Sequence, residues 1–183
     1  MKKERKQKAE SLLEPIAVNI NPNLITLSSV LVMLASFYFI GKHEFYAAGF
    51  LYLTASLLDA YDGVVARKFK RQTRIGAFLD RICDRINDSI PLIAFTYYGL
   101  VQPVLGMIAL FSVIFASYCS ATIEVISKSR IGEELSLRPV RSTVLFLGIT
   151  MGAKAIPYAV LLVLAIASVS IVIRIRKAIQ VLS

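Results

Sequence analysis

The chain has 183 residues, a formal net charge of +9 and a hydrophobic fraction of 56%. The length suits one domain, and the apolar fraction excludes an ordinary soluble protein. The basic residues recur in alternate loops instead of forming one continuous patch, which argues against nucleic acid as a partner.

The N-terminal segment, residues 1–20, mixes Lys and Glu with the apolar Leu12, Leu13, Ile16 and Val18. Such a mixture predicts an amphipathic helix that lies at a membrane interface. A disordered basic tail is the alternative interpretation.

Six apolar segments follow in chain order, and each is predicted to be a membrane-spanning helix. Their bounds are 23–41, 45–66, 74–98, 104–127, 139–153 and 156–175. A hydrocarbon core of about 30 Å takes about 20 helical residues to cross, so the longer segments are membrane helices rather than buried core helices. We therefore predict an all-α, polytopic membrane protein. Its single domain, 1–183, would comprise the interfacial helix and a six-helix bundle over 21–177.

Lys and Arg concentrate in the N-terminal arm and in every second connection between the predicted spans. The positive-inside rule assigns such connections to the cytoplasmic side of the cell membrane. Because six spans return the chain to the side on which it began, both termini are predicted to be cytoplasmic.

Histidine and cysteine, the usual residues of catalytic and metal sites, are scarce. His43, the only histidine, lies in a short predicted loop. Cys83 and Cys119 lie inside apolar segments and lack the spacing of a redox or zinc site. We therefore expect neither histidine-based catalysis nor a thiolate metal site.

Aspartates interrupt the second and third predicted spans, at Asp59, Asp62, Asp80, Asp84 and Asp88. The first two are spaced i, i+3 and the other three i, i+4, so each set lies on one face of its helix. The loop between the two spans is short, and we therefore predict that they are antiparallel neighbours whose carboxylates meet at a similar depth.

Carboxylates inside a membrane domain need a balancing positive charge, because each costs about 2.5–3.5 kcal/mol near the bilayer centre. Lys or Arg on a neighbouring helix is one source of that charge. A hard divalent cation, Mg²⁺, Mn²⁺ or Ca²⁺, is another, since the donors are carboxylate oxygens. Two such ions suit phosphoryl chemistry. The competing interpretation is the ion pathway of a cation-coupled transporter.

The aspartates belong to a longer pattern, D-x2-D-G-x2-A-R-x8-G-x3-D-x3-D, which is filled from Asp59 to Asp84 with Gly63, Ala66, Arg67 and Gly76 at its other fixed positions. The pattern resembles the signature of the CDP-alcohol phosphotransferase family. Six spans preceded by an interfacial helix are also that family's architecture.

The resemblance implies an enzyme of phospholipid synthesis that moves a phosphatidyl-type group from a CDP-linked lipid to a small polar alcohol and releases CMP. It implies two divalent cations, Mg²⁺ or Mn²⁺, held by Asp59, Asp62, Asp80 and Asp84. It also implies that Asp84 is the catalytic base and that the protein is a homodimer. The CDP moiety would be bound by Asp59, Gly63, Ala66, Arg67 and Gly76.

Two features favour an inositol phosphate acceptor. The sequence D-R-x2-D, from Asp84 to Asp88, resembles the phosphatidylinositol-phosphate and archaetidylinositol-phosphate synthase branch. Arg138 and Arg141, spaced i, i+3, stand where that branch carries arginines for the acceptor phosphate, and topological anchoring is the alternative role. Asp88 is assigned to the same acceptor site.

One stretch departs from that branch. Ser120 and Thr122 replace expected basic residues, for which Lys128 and Arg130 are candidate substitutes. Glycerol phosphate or serine therefore stays open as the acceptor, and the donor lipid is either CDP-diacylglycerol or CDP-archaeol. A catalytically inactive membrane scaffold is a further alternative to the transporter, although costly intramembrane carboxylates argue against it.

Overall fold

A computed structural model describes residues 15, 17–127 and 137–182. Within these ranges the regular structure is entirely helical. The helices are α1 (Pro22–Gly41), α2 (Phe45–Lys68), α3 (Arg74–Tyr97), α4 (Pro103–Ser127), α5 (Arg138–Thr150) and α6 (Ile156–Leu182). The predicted all-α class is confirmed.

The helix starts follow from local chemistry. The Asn21 side chain accepts a hydrogen bond from the backbone N–H of Asn23 and caps α1, with Pro22 in the first turn. The Thr73 hydroxyl accepts from the backbone N–H of Gly76 at 2.9 Å and caps α3. Gly152, with a φ of +88°, turns the chain between α5 and α6, in a region that favours glycine.

Three of the described helices, α1, α4 and α6, are long and apolar enough to cross a membrane. Large apolar side chains on their outer faces are exposed, among them Leu31, Phe111 and Leu162. A lipid environment removes the cost of exposing them. Helices α2 and α3 carry the charged motif, and the predicted total of six spans stays a prediction.

Packing places α1 between the two motif-bearing helices. Helix α1 packs against both α2 and α3, and these interfaces are more extensive than the direct contact between α2 and α3. Helix α5 packs against α2 and α6, and α4 packs against α3 and α6. The buried core includes Met33, Tyr52, Phe95, Ile149 and Val163. The two motif-bearing helices therefore pack against α1, α5 and α4.

The predicted helix bounds agree with the structure except near the C-terminus, where α5 ends at Thr150 and α6 continues to Leu182. Residues 17–20 are not helical. The remainder of the predicted interfacial helix, apart from Pro15, lies outside the described residues.

Candidate functional site

Three motif carboxylates converge between α2 and α3. Asp59, Asp80 and Asp84 each offer a carboxylate oxygen, and these atoms lie within 4.8 Å of one another. Asp80 and Asp84 are one helical turn apart, as their spacing predicts. The fold therefore brings the two halves of the motif together although the helices themselves touch only slightly.

Asp62 is oriented differently. It is buried, with 4% of its surface exposed, and its Oδ2 accepts a hydrogen bond from the Thr26 hydroxyl of α1. It is not one of the three residues whose oxygens group within 4.8 Å. The four-aspartate metal set predicted from the sequence thus consists here of three grouped residues and a fourth held by a neighbouring helix.

Arg138, at the start of α5, is the main counter-charge of this cluster. Its Nη1 lies 3.2 Å from Asp59 Oδ2 and also forms an ion pair with Asp84 Oδ1. Its Nε donates to Asp88 Oδ1 at 3.1 Å. One guanidinium therefore contacts three carboxylates, two of which belong to the predicted metal set.

Asp88 connects this cluster to two more arginines. Its Oδ2 lies 3.5 Å from Arg141 Nη2 and 4.0 Å from Arg85 Nη1. Arg141 is buried, with 9% of its side chain exposed. Arg138 and Arg141 therefore share one helix face, as their spacing predicts, and Asp88 lies between the arginines of α3 and α5.

A fourth arginine, which the sequence did not single out, completes the basic group. Arg174 of α6 is 7% exposed, and its Nη1 donates to the backbone carbonyl of Ala116 on α4. Arg85 of α3 donates to the hydroxyl of Ser117, which follows Ala116 on α4. Arg174 lies within electrostatic reach of Arg141 and Arg85. Its place in the sequence resembles that of a topological anchor, and only the packing of α6 shows that it is buried.

Ser120 and Thr122, which stand where basic residues were expected, bond within their own helix. Their hydroxyls donate to the backbone carbonyls of Ala116 and Tyr118. The candidate substitutes Lys128 and Arg130 lie outside the described residues.

The small residues of the motif lie at close approaches. A Cβ atom on Gly63 would come within 3.2 Å of Arg67 Nη1, so that guanidinium folds back over Gly63. A Cβ atom on Gly76 would lie 3.0 Å from Asn23 Oδ1 and from Thr73 Oγ1. Asn23 and Thr73 line a cavity of about 300 Å³ together with Asn21, Pro22 and Arg71. Ala66 is half-buried on α2.

The donor set fits a hard divalent cation. All three grouped ligand atoms are carboxylate oxygens, the ligands that Mg²⁺ and Mn²⁺ prefer. Asp59 Oδ1 is buried and has no hydrogen-bond partner within the described ranges. A buried carboxylate oxygen without a partner is costly, and cation binding would remove that cost.

Comparison with known families identifies the pattern. The model of the CDP-alcohol phosphatidyltransferase family matches residues 19–176.

The chain also resembles three curated proteins over parts of their length. It is 36% identical over 120 residues to an archaetidylinositol phosphate synthase of Methanothermobacter thermautotrophicus, covering 61% of this chain and 58% of that protein. It is 38% identical over 77 residues to a CDP-diacylglycerol–inositol 3-phosphatidyltransferase of Drosophila melanogaster, covering 42% and 34%. It is 31% identical over 78 residues to a CDP-diacylglycerol–glycerol-3-phosphate 3-phosphatidyltransferase of Aquifex aeolicus, covering 43% and 44%. The chain thus spans less than two-thirds of each of these relatives.

Among solved structures, the fold is similar to phosphatidylinositol phosphate synthase of Mycobacterium tuberculosis. The structure of that protein with CDP-DAG bound superimposes with a TM-score of 0.76 at 20% identity, covering 92% of this chain and 94% of that one. The same protein has been solved with manganese and citrate.

Proposed function

Because this chain belongs to the CDP-alcohol phosphatidyltransferase family, we propose that it transfers a phosphatidyl-type group from a CDP-linked lipid to a polar alcohol and releases CMP. The observation that carries the proposal is the meeting of Asp59, Asp80 and Asp84 beside a group of arginines on α3, α5 and α6. Family membership favours this enzyme over the transporter interpretation.

Asp59, Asp80 and Asp84 would hold the divalent metal, with Asp62 as the fourth ligand of the predicted pair of ions. When bound, the metal supplies positive charge that stabilises the phosphates of the donor and of the leaving CMP. Gly63 and Gly76 would let the nucleotide approach the helix backbones closely, since neither carries a side chain. The cavity beside Gly76 supports this placement of the nucleotide.

Asp84 would act as the general base. Its Oδ1 pairs with Arg138, and its Oδ2 lies 3.2 Å from Arg85 Nη2, so both oxygens are oriented by charged partners. In the proposed step the acceptor hydroxyl oxygen bonds to the lipid-linked phosphorus, the phosphorus–oxygen bond to CMP breaks, and the hydroxyl proton passes to Asp84. General base catalysis of this kind contributes roughly 10²–10⁴ to the rate.

The charge balance favours an anionic acceptor. The cluster holds five aspartates, Asp59, Asp62, Asp80, Asp84 and Asp88, and four arginines, Arg85, Arg138, Arg141 and Arg174. The formal net charge of this cluster is therefore slightly negative, and it becomes positive when a divalent cation binds. The buried guanidiniums of Arg141 and Arg174 would then bind a phosphate group in addition to Asp88 and the Ala116 carbonyl, since the planar arginine fork is well shaped for phosphate.

We therefore propose inositol phosphate as the acceptor. Glycerol phosphate carries the same phosphate chemistry, and the likeness to the Aquifex protein favours it as the second candidate. Serine lacks the phosphate that the arginines would bind. The donor would be either CDP-diacylglycerol or CDP-archaeol.

The assay is CMP release by the purified protein in detergent with Mg²⁺ and each CDP-linked lipid. Inositol phosphate, glycerol phosphate, serine and no acceptor are supplied separately. CMP released only with inositol phosphate supports the full proposal, and release only with glycerol phosphate replaces the acceptor. Absence of CMP in every reaction would contradict the transferase proposal.

Two further proposals concern the setting of the site. The alternation of basic connections supports an active site and termini on the cytoplasmic side of the membrane. A homodimer is the assembly that the family resemblance implies. Labelling of single cysteines introduced near the termini in intact cells tests the first, and the mass of the detergent-solubilised particle tests the second.

A further inference from the structure

Thr26 connects α1 to the metal-binding cluster. It is 3% exposed, and its hydroxyl donates to Oδ2 of Asp62, which lies 36 residues later on α2. Asp62 is itself 4% exposed, so both partners are withdrawn from water. A hydrogen bond to a buried carboxylate is charge-assisted and stronger than one between neutral groups.

The Thr26 hydroxyl has a second acceptor within reach, the backbone carbonyl of Pro22 at 3.1 Å. A hydroxyl has a single proton and donates it to one acceptor at a time. Bonding to the carbonyl four residues earlier is the usual choice of a threonine inside a helix. The charged carboxylate is the stronger acceptor, so the proton belongs to Asp62 and the carbonyl is only an alternative.

The bond fixes the orientation of Asp62. It engages Oδ2, restricts rotation of the side chain, and keeps the carboxylate within electrostatic reach of Asp80 and Asp84. Oδ1 would then serve as the ligand atom. Carboxylates that bind metals are commonly held in this way by a hydrogen bond to their second oxygen. We propose that Thr26 is a positioning residue that holds Asp62 for divalent cation binding. This inference rests on the proposed function.

A neighbouring bond shows that α1 reaches both helices of the motif. Ser29, one turn after Thr26 on the same face, accepts from Asn87 Nδ2 of α3 at 2.9 Å. Asn87 follows Asp84 by three residues. Polar side chains of α1 are therefore bonded to Asp62 of α2 and to Asn87 of α3, consistent with the position of α1 between these helices.

The test is a Mg²⁺ titration of the full chain in detergent, without nucleotide, followed by thermal unfolding. Thr26→Val keeps the shape of the side chain and removes the hydroxyl. We expect the Mg²⁺ concentration for half-maximal stabilisation to rise about tenfold to a hundredfold. Thr26→Ser, which retains the hydroxyl, should stay within about threefold of the wild type, as a hydroxyl-dependent effect requires. The Km for Mg²⁺ should rise correspondingly, with a smaller change in kcat.

Ser36→Ala is the matched control. Ser36 is a buried hydroxyl of the same helix and donates to the Ala48 carbonyl of α2 at 2.9 Å, but no carboxylate is involved. It should lower the unfolding temperature and leave the Mg²⁺ dependence unchanged. A folded Thr26→Val protein with wild-type Mg²⁺ dependence would overturn the inference. If that variant does not fold, Thr26→Ser decides, because a large loss of Mg²⁺ affinity in it would also overturn the inference.

The same experiment separates this inference from the proposed function. If neither Mg²⁺ nor Mn²⁺ stabilises the wild-type protein, the metal site fails and the role of Thr26 fails with it. If the wild type is stabilised and Thr26→Val responds identically, only the role of Thr26 fails.

Discussion

Replacing Arg138 by glutamine should tighten Mg²⁺ binding to the substrate-free protein. Arg138 Nη1 contacts Asp59 and Asp84, two of the three grouped carboxylates, so a cation that binds them has to displace the guanidinium. The substitution removes this competition, and it also removes the repulsion between the Arg138 guanidinium and the bound cation. The metal-free variant should in turn be less stable, because three carboxylates lose their common counter-ion.

The magnitude follows from the geometry. At 3.2 Å between Arg138 Nη1 and Asp59 Oδ2, the Coulomb attraction is about 5 kcal/mol at an effective dielectric constant of about 20. The side chain of Arg138 is 24% exposed, so screening by water is limited, but desolvation offsets most of the attraction. We therefore expect Mg²⁺ binding to become more favourable by about 1.4 kcal/mol in Arg138→Gln. This gain corresponds to a tenfold lower Mg²⁺ concentration at half-saturation.

Thermal unfolding in detergent at increasing Mg²⁺, without nucleotide, measures this shift. The chain has no Trp, so unfolding is followed with a thiol-reactive fluorophore that labels the buried Cys83 when α3 opens. The measurements use a Cys119→Ser background, because Cys119 is only partly buried and would also react. Arg141→Gln is the matched control, because the ion pair of Arg141 is with Asp88, outside the grouped set. An unchanged or higher Mg²⁺ requirement in folded Arg138→Gln, relative to wild type, would refute the reasoning.

Other changes give separate outcomes. Asp84→Asn should lower kcat for CMP release by at least about 10² without preventing folding, since it removes the proposed base; near-normal turnover contradicts that role. Arg174→Gln should raise the Km for a phosphorylated acceptor more than that for the CDP-linked lipid, and equal changes would indicate a structural residue instead. Gly148→Ala should destabilise the protein by about 1–3 kcal/mol, measured by unfolding, because the new Cβ would lie 2.4 Å from the Ala159 Cβ across the α5–α6 interface. Excess chelator should abolish CMP release, and activity that persists would exclude the metal proposal.

The helices and the faces of the motif were predictable because they depend on local rules. Long apolar runs indicate membrane helices. The structure adds that Asn21 and Thr73 cap the starts of α1 and α3. The spacing between Asp80 and Asp84 places them on one helix face whatever lies opposite. The pattern of fixed residues was specific enough to identify the family before any helix was packed.

The partners of those residues depended on how the helices pack. Asp62 bonds to a threonine 36 residues earlier, and Arg138 pairs with Asp84 across 54 residues. Arg174 lies beside Ala116, 58 residues away, although its sequence position resembles a membrane anchor. A repeating pattern along the chain determines which face of a helix a residue occupies. Only the tertiary packing determines which helix meets that face, and therefore which charges neutralise one another.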